Sequence, residues 1–284
     1  MKHLPEYLKR GIADTDKTKA VRKILKENNL HTVCDEARCP NKAECYSKNT
    51  ATFLIMGNIC TRSCRFCNIS CAAPLPLDEE EPEKTAFAVK KLNLNYAVIT
   101  SVTRDDLPDG GAAHFANVIN EIRKINKNIK IEVLTPDFQG KTASIDIILK
   151  AHPDVFNHNI ETVPSLYKKI RPQADYKRSL NFLDYIVKNS DISVKTGLMT
   201  GLGETKDELI RVFKDLAEIK CGIVTLGQYI APSKKHHAAV KYYEPREYEE
   251  LAAAARNLGI KYPLFSPLMR SSYNAANVLE KEKR

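Results

Sequence analysis

The sequence contains no run close to the roughly 20 apolar residues that a membrane-spanning helix needs, which excludes a transmembrane protein. Its first ten residues lack the apolar centre of a secretory signal, and they are not the Ser- and Arg-rich, acid-poor stretch of an organelle transit peptide. Internal repeats and low-complexity tracts are absent as well. We therefore expect a cytoplasmic protein with no membrane partner.

Acidic residues are outnumbered by basic ones, and the formal net charge is +9. A charge of this sign favours acidic partners. The lysines and arginines are spread along the chain and form no basic arm, so a solvated Lys-rich surface explains them equally well. We expect no nucleic-acid partner.

The eight cysteines are unevenly distributed, since seven lie between Cys34 and Cys71 and only Cys221 stands apart. Disulfide bonds are not expected in a cytosolic protein, because that compartment keeps thiols reduced. Clustered cysteines in an intracellular chain indicate a metal site instead.

Apolar, β-branched runs alternate with amphipathic helical patterns, which predicts an α/β fold with parallel strands joined by crossovers. One helix has Phe115, Val118, Ile119, Ile122 and Ile125 on a single face. An open doubly wound sheet and a barrel-like sheet both satisfy this pattern, and both place the active site at the carboxyl ends of the strands. Strands are predicted at residues 52–56, 96–100, 129–134, 154–156, 192–196 and 222–229. Helices are predicted at about 18–30, from the capping box that begins at Thr205, and at 245–258.

Cys60, Cys64 and Cys67 form a C-x3-C-x2-C array directly after the first long strand. Zinc sites usually combine paired C-x2-C elements and four ligands, so a three-cysteine zinc site is the weaker alternative. A [4Fe–4S] cluster usually takes four cysteines, and three would leave one iron open to another ligand. The array resembles that of the radical S-adenosylmethionine (SAM) superfamily, in which SAM occupies the open position.

Cys34, Cys39 and Cys45 form a second triplet, C-x4-C-x5-C, whose spacing alone would also suit a structural metal site. Its surrounding sequence closely resembles the lipoyl synthase family. The resemblance extends through residues 34–45, 50–60, 100–111, 158–163, 195–204, 227–236 and 270–273.

The resemblance implies a partial (β/α)6 TIM-like barrel of the radical SAM type with extensions at both ends. The expected division is an N-terminal extension at 1–50, the barrel at 51–232, and a C-terminal helix and Arg-Ser-Ser-Tyr segment at 233–284. It also implies two [4Fe–4S] clusters, the second held by the 34/39/45 triplet and by a serine oxygen. From the resemblance we assign that oxygen to Ser272, with Ser271 as the alternative. A serine oxygen is a harder and more exchangeable ligand than a thiolate, which suits a cluster that is dismantled as a sulfur source. The residues expected to contact SAM or its surroundings are Arg104, Asp105, Asp106, Asn157, Glu161, Lys195, Gly201, Glu204 and Arg270.

The reaction that the resemblance implies is a sulfurtransferase reaction, in which sulfur is inserted at C6 and C8 of a protein-bound octanoyl-lysine. Two SAM molecules would be used per lipoyl group, and the second cluster would donate the sulfur. The expected partners are lipoyl carrier domains of 2-oxoacid dehydrogenases or the glycine-cleavage carrier protein, and a flavodoxin- or ferredoxin-type electron donor. Two alternatives stay open at this point: another radical SAM enzyme, of the biotin-synthase or methylthio-transferring kind, and a zinc-stabilised basic binding module. Cys71 and Cys221 match no ligand position, and we expect both to be small buried thiols.

Overall fold

The computed structural model describes residues 3–9, 15–48 and 50–276. Its strands are β1 (His31–Thr32), β2 (Thr52–Ile55), β3 (Ile59–Cys60), β4 (Ser70–Cys71), β5 (Tyr96–Ser101), β6 (Lys130–Leu134), β7 (Val155–Asn157), β8 (Ser193–Thr200), β9 (Ile223–Gln228) and β10 (Tyr262–Phe265). Its α-helices are α1 (Asp16–Glu27), α2 (Val33–Glu36), α3 (Lys42–Ser47), α4 (Glu81–Lys91), α5 (Ala112–Ile125), α6 (Thr142–Lys150), α7 (Tyr167–Ile170), α8 (Tyr176–Asn189), α9 (Lys206–Glu218) and α10 (Pro245–Asn257). The predicted α/β alternation is confirmed, and each of the six predicted strands is present.

The chain divides into two compact units, and β7 contains the point where it passes from one to the other. Of the described residues, unit I contains 15–48, 50–62, 69–155 and 274–276, and unit II contains 3–9, 63–68 and 156–273.

In unit I, β2 pairs in parallel with β5 and β5 pairs in parallel with β6, while the short β1 runs antiparallel to β2. All four residues of β2 are buried, as expected for a strand covered on both faces. Helix α5 packs beside α4 and α6, and Phe115, Val118, Ile119 and Ile122 on its predicted apolar face are fully buried. The fifth residue of the predicted stripe, Ile125, is 40% exposed, because the helix ends there.

In unit II, β8, β9 and β10 are parallel neighbours, and every residue of β9 is buried. The capping box predicted from Thr205 is confirmed at the start of α9, where the Thr205 side chain accepts from the Glu208 N–H and the Glu208 carboxylate accepts from the Thr205 N–H. It satisfies two of the N–H groups that a helix start leaves unpaired.

None of the helices in the described part of the chain is long and apolar enough to cross a bilayer.

Candidate functional site

Cys60 ends β3, and Cys64 and Cys67 lie in the turn that follows it. The Cys67 N–H donates to the Cys64 carbonyl at 3.0 Å, which tightens this turn. Two backbone N–H groups point at the Cys60 sulfur, from Arg62 at 3.4 Å and from Thr103 at 3.3 Å. The Cys60 sulfur therefore accepts two backbone hydrogen bonds from different segments of unit I.

The loop after β5 contains the three charged residues expected at the SAM site. The Arg104 guanidinium, 3% exposed, binds Asp106 at 2.8 Å, and this hydrogen bond holds the pKa of the Asp106 carboxyl below its usual range. Asp105 is bound by Arg62 through two hydrogen bonds, of 2.6 and 2.9 Å. Arg104 and Asp106 therefore form an ion pair within the loop. The buried Arg104 Nη1 has no hydrogen-bond partner among the described residues.

The segment after β7 brings together polar side chains from distant parts of unit II. The Asn159 amide nitrogen donates to Glu161 at 3.0 Å and to the Ser271 hydroxyl at 3.3 Å. Glu161 has a left-handed backbone, with φ of 70°. Burial raises the pKa of its carboxyl, and the charges of Arg171 and Arg270 partly offset this rise. The neighbouring Asn157 is fully buried at the end of β7.

The glycine-rich loop after β8 is organised around Glu204, which is 8% exposed. Its carboxylate accepts three backbone N–H groups, from Gly201 at 2.6 Å, Leu202 at 2.9 Å and Gly203 at 3.1 Å. Gly201 has φ of 91°, and a Cβ there would collide with the Gln228 side chain. The Glu204 carboxylate thus fixes the backbone of residues 201–203 by accepting their N–H groups. Lys195, earlier in β8, has a buried side chain that is 1% exposed.

Cys34 lies in α2, Cys45 in α3, and Cys39 in the connection between these helices. Burial raises the pKa of the Cys34 thiol to about 12, and the negative charges that Cys39 and Cys45 would carry as thiolates raise it further. The three sulfur atoms are therefore close enough to repel one another once deprotonated.

A hydrogen-bond network that the sequence analysis did not predict surrounds Asp35, beside the 34/39/45 triplet. The Asp35 carboxylate accepts from Thr32 at 2.9 Å, from the buried Tyr46 hydroxyl at 2.5 Å and from Lys42 at 2.8 Å. These hydrogen bonds join α2, which contains Cys34, to α3, which contains Cys45. Asp35 and Tyr46 lie next to cysteines in the sequence, so this adjacency could have revealed them.

The terminal Arg-Ser-Ser-Tyr motif lies in a turn that is closed by its last residue, Tyr273, whose N–H donates to the Arg270 carbonyl at 3.0 Å. Arg270 also donates to the Met269 carbonyl at 2.6 Å. A Cβ at Gly227 in β9 would collide with that same Met269 carbonyl. The glycine therefore allows the motif to approach the strand.

The two serines of this motif differ in their contacts. Ser271 accepts the Asn159 hydrogen bond described above, and Ser272 is half-buried in the turn. The motif is thus joined through Ser271 to the polar segment after β7.

Three free thiols in each triplet are the type of ligand that an iron–sulfur cluster takes. All eight cysteines are free thiols; Cys221 is buried as expected, but the expectation of a buried thiol at Cys71 is wrong, since this side chain is exposed in a short edge strand. Among residues 3–9, 15–48 and 50–276, no three His, Cys, Asp or Glu side chains come within reach of a single metal ion. Cysteines of a [4Fe–4S] cluster bind different irons and do not need to converge on one point.

Comparison with known proteins gives the family. The Radical SAM superfamily model matches residues 54–216, more than half of the chain. A lipoyl synthase of Caldicellulosiruptor saccharolyticus is 50% identical over 272 residues, covering 95% of each chain. A lipoyl synthase of Alkaliphilus metalliredigens is 48% identical over 284 residues, covering 100% of this chain and 98% of that protein.

Solved structures show the same fold at low sequence identity. Methylornithine synthase matches with a TM-score of 0.56 at 15% identity, covering 87% of this chain and 74% of that one. Streptococcus suis SuiB bound to S-adenosylmethionine matches with a TM-score of 0.58 at 12% identity, covering 80% and 54%. The expected radical SAM type of partial barrel is confirmed, and the zinc-stabilised binding module is excluded by the family match. This chain is a member of the lipoyl synthase family, a sulfurtransferase family of the radical SAM superfamily.

Proposed function

We propose that this chain inserts sulfur at C6 and C8 of an octanoyl-lysine by means of two clusters, one held by Cys60, Cys64 and Cys67 and the other by Cys34, Cys39 and Cys45. The observation that carries the proposal is the presence of two separate triplets of free thiols, each within its own short hydrogen-bonded segment of the chain. A radical SAM enzyme with a single cluster would not need the 34/39/45 triplet.

The first triplet would hold the SAM-cleaving cluster. When bound, this cluster supplies the electron that splits SAM into methionine and a radical able to take hydrogen from an unactivated C–H bond. The chain itself contributes three thiolates and the N–H groups that face Cys60. Three cysteine ligands leave one iron open, which suits a cofactor that binds through its amino and carboxylate groups.

The residues after β7 and β8 would orient SAM. Glu161 presents a half-buried carboxyl group fixed by Asn159, and such a group is able to accept hydrogen bonds from ribose hydroxyls. Glu204 contributes indirectly, by holding Gly201 in the conformation that lets a ligand approach the backbone. The Asn157 and Lys195 side chains are buried beside these loops, and Arg104 offers one buried N–H group without a partner in the described chain.

The second triplet would hold the auxiliary cluster, with Ser272 as its fourth ligand. When bound, this cluster supplies sulfide for the product. A serine oxygen is a harder ligand than a thiolate, so its iron is the one most easily released. The Asn159 hydrogen bond occupies Ser271 and supports the choice of Ser272 as the ligand.

The substrate would be an octanoylated carrier domain, with two SAM molecules consumed per lipoyl group and a flavodoxin- or ferredoxin-type donor supplying electrons. The net charge of +9 suits acidic partners of both kinds. Charge complementarity of this type chiefly speeds association, so its effect falls as salt is raised.

The test is incubation of anaerobically reconstituted protein with SAM, dithionite and an octanoyl-lysyl peptide, followed by mass spectrometry of the peptide. Replacement of two hydrogens by two sulfurs supports the proposal. SAM cleavage with an unchanged peptide contradicts the substrate assignment. Ser272→Ala should abolish sulfur insertion and retain SAM cleavage, while Ser271→Ala should insert sulfur. The opposite outcome would assign the ligand to Ser271.

A further inference from the structure

Arg62, within the C-x3-C-x2-C array, is buried and bound to two carboxylates. Its side chain is 5% exposed. Nε and Nη2 bind Asp105 at 2.6 and 2.9 Å, and Nη2 also binds Asp137 at 2.6 Å. Asp137 is fully buried, and it also accepts from the Gln139 N–H, which fixes its orientation. An arginine at this place is therefore held rigidly by groups 43 and 75 residues away in the sequence.

The backbone around Arg62 is joined to the loop after β5 by further hydrogen bonds. The Thr61 N–H and hydroxyl both donate to the Thr103 carbonyl at 3.0 Å. The Asp105 N–H donates to the Thr61 hydroxyl at 3.1 Å. Together with the ion pair, these bonds fix residues 60–62 against residues 103–105 within unit I.

The consequence of this arrangement reaches the sulfur of Cys60. Its two N–H donors come from Arg62 and from Thr103, one from each of the two joined segments. The Thr103 donor stays in place only while the two segments keep their mutual position, and the Arg62 donor only while residue 62 keeps its backbone orientation. Hydrogen bonds to cysteine sulfurs help to set the reduction potential of an iron–sulfur cluster.

We propose that Arg62 is a positioning residue, which by its ion pairs with Asp105 and Asp137 holds both N–H donors on the Cys60 sulfur and raises the reduction potential of the cluster bound there. The proposal rests on the proposed role of Cys60 as a cluster ligand. The reduced cluster carries one more negative charge than the oxidised one, so N–H donors stabilise it more. Loss of the donors makes the cluster harder to reduce.

If Arg62 acted on the reduction potential only through its positive charge, the variants would behave differently. Arg62→Lys keeps the charge but loses the planar fork that reaches two carboxylates at once. Asp137→Asn removes a negative charge, which by charge alone would make reduction easier. Positioning predicts harder reduction in both variants, because each releases the segment that carries the donors.

The experiment is a redox titration of anaerobic holoprotein followed by electron paramagnetic resonance, using the signal that changes when SAM is added. Wild type, Arg62→Lys and Asp137→Asn are compared with Arg65→Lys, a matched control whose side chain is exposed in the same loop. Circular dichroism, iron and acid-labile sulfide are measured for each protein.

We expect the ratio of reduced to oxidised cluster at a fixed potential to fall at least threefold in Arg62→Lys and in Asp137→Asn, which is about 30 mV for a one-electron couple. Arg65→Lys should match the wild type. An unchanged ratio in Arg62→Lys, or a higher ratio in Asp137→Asn, overturns the proposal. If Arg62→Lys does not assemble a cluster, the ratio in Asp137→Asn decides between the two explanations: a lower ratio than in the wild type supports positioning, and a higher ratio supports a charge effect. A wild type whose signal does not respond to SAM would instead refute the proposed cluster site.

Discussion

Replacement of Glu204 by glutamine separates a loop-shaping role from direct contact with SAM. Its carboxylate accepts N–H groups from Gly201, Leu202 and Gly203 at 2.6, 2.9 and 3.1 Å, in a nearly buried position. A hydrogen bond to a charged group contributes about 1.5–3 kcal/mol to stability. Glutamine keeps one acceptor oxygen and turns an NH₂ group toward the remaining N–H donors, so the equivalent of about two bonds is lost. We expect Glu204→Gln to lower the free energy of unfolding by about 4 kcal/mol.

Urea denaturation, at equal iron content in all proteins, measures this loss, and equilibrium dialysis measures SAM affinity. Glu208→Gln is the control, because Glu208 accepts from Thr205 in an exposed capping box that glutamine also completes. The free energy of unfolding of Glu208→Gln should fall by less than about 1 kcal/mol. If Glu204→Gln is as stable as this control and yet binds SAM poorly, Glu204 contacts SAM directly and does not shape the loop.

Three other predictions concern thiols and a buried carboxylate. Cys71 is exposed and lies outside both triplets, so Cys71→Ala should keep SAM cleavage; a folded variant that forms no 5′-deoxyadenosine would make Cys71 a ligand. Burial raises the pKa of the Cys221 thiol to about 12 and also keeps its sulfur out of reach of a reagent in the folded protein. Iodoacetamide should therefore modify Cys221 only after unfolding, and mass spectrometry showing native labelling as fast as that of Cys71 would refute this. Glu81 accepts from the Met56 N–H at 2.7 Å and contacts His114 Nε2 at 2.6 Å, so Glu81→Gln should cost about 2 kcal/mol in urea denaturation, and a cost below about 0.5 kcal/mol would contradict the contact.

The fold was largely predictable, because buried parallel strands are continuous apolar runs. Strand β10 was missed, since Pro263 lies in its short sequence and proline is excluded from central strands. The strand pairs only with β9 and lies at the end of the sheet order, where a missing N–H is tolerated. The hydrophobic pattern does not show whether a strand lies at the edge of a sheet, where proline is allowed.

The cysteine triplets and the Asp35 network beside one of them are local in sequence, whereas other contacts of the candidate site are not. Arg62 and Asp137 are 75 residues apart, and Asn159 and Ser271 are 112 apart. No periodicity or motif links such pairs, and only the folded chain brings them together. Glu204 is different, since a carboxylate directly after a glycine-rich turn is a local signal for capture of its N–H groups.

The left-handed backbone of Glu161 has a bearing on engineering. A side chain at φ of 70° costs about 1–2 kcal/mol relative to glycine, which adopts this conformation freely. Selection for heat resistance alone would therefore enrich Glu161→Gly, and with it the loss of a carboxylate that Asn159 holds in place. With the role in orienting SAM that we propose for Glu161, thermostable variants of this enzyme will need turnover as a second criterion at this position, where melting temperature and turnover would select opposite residues.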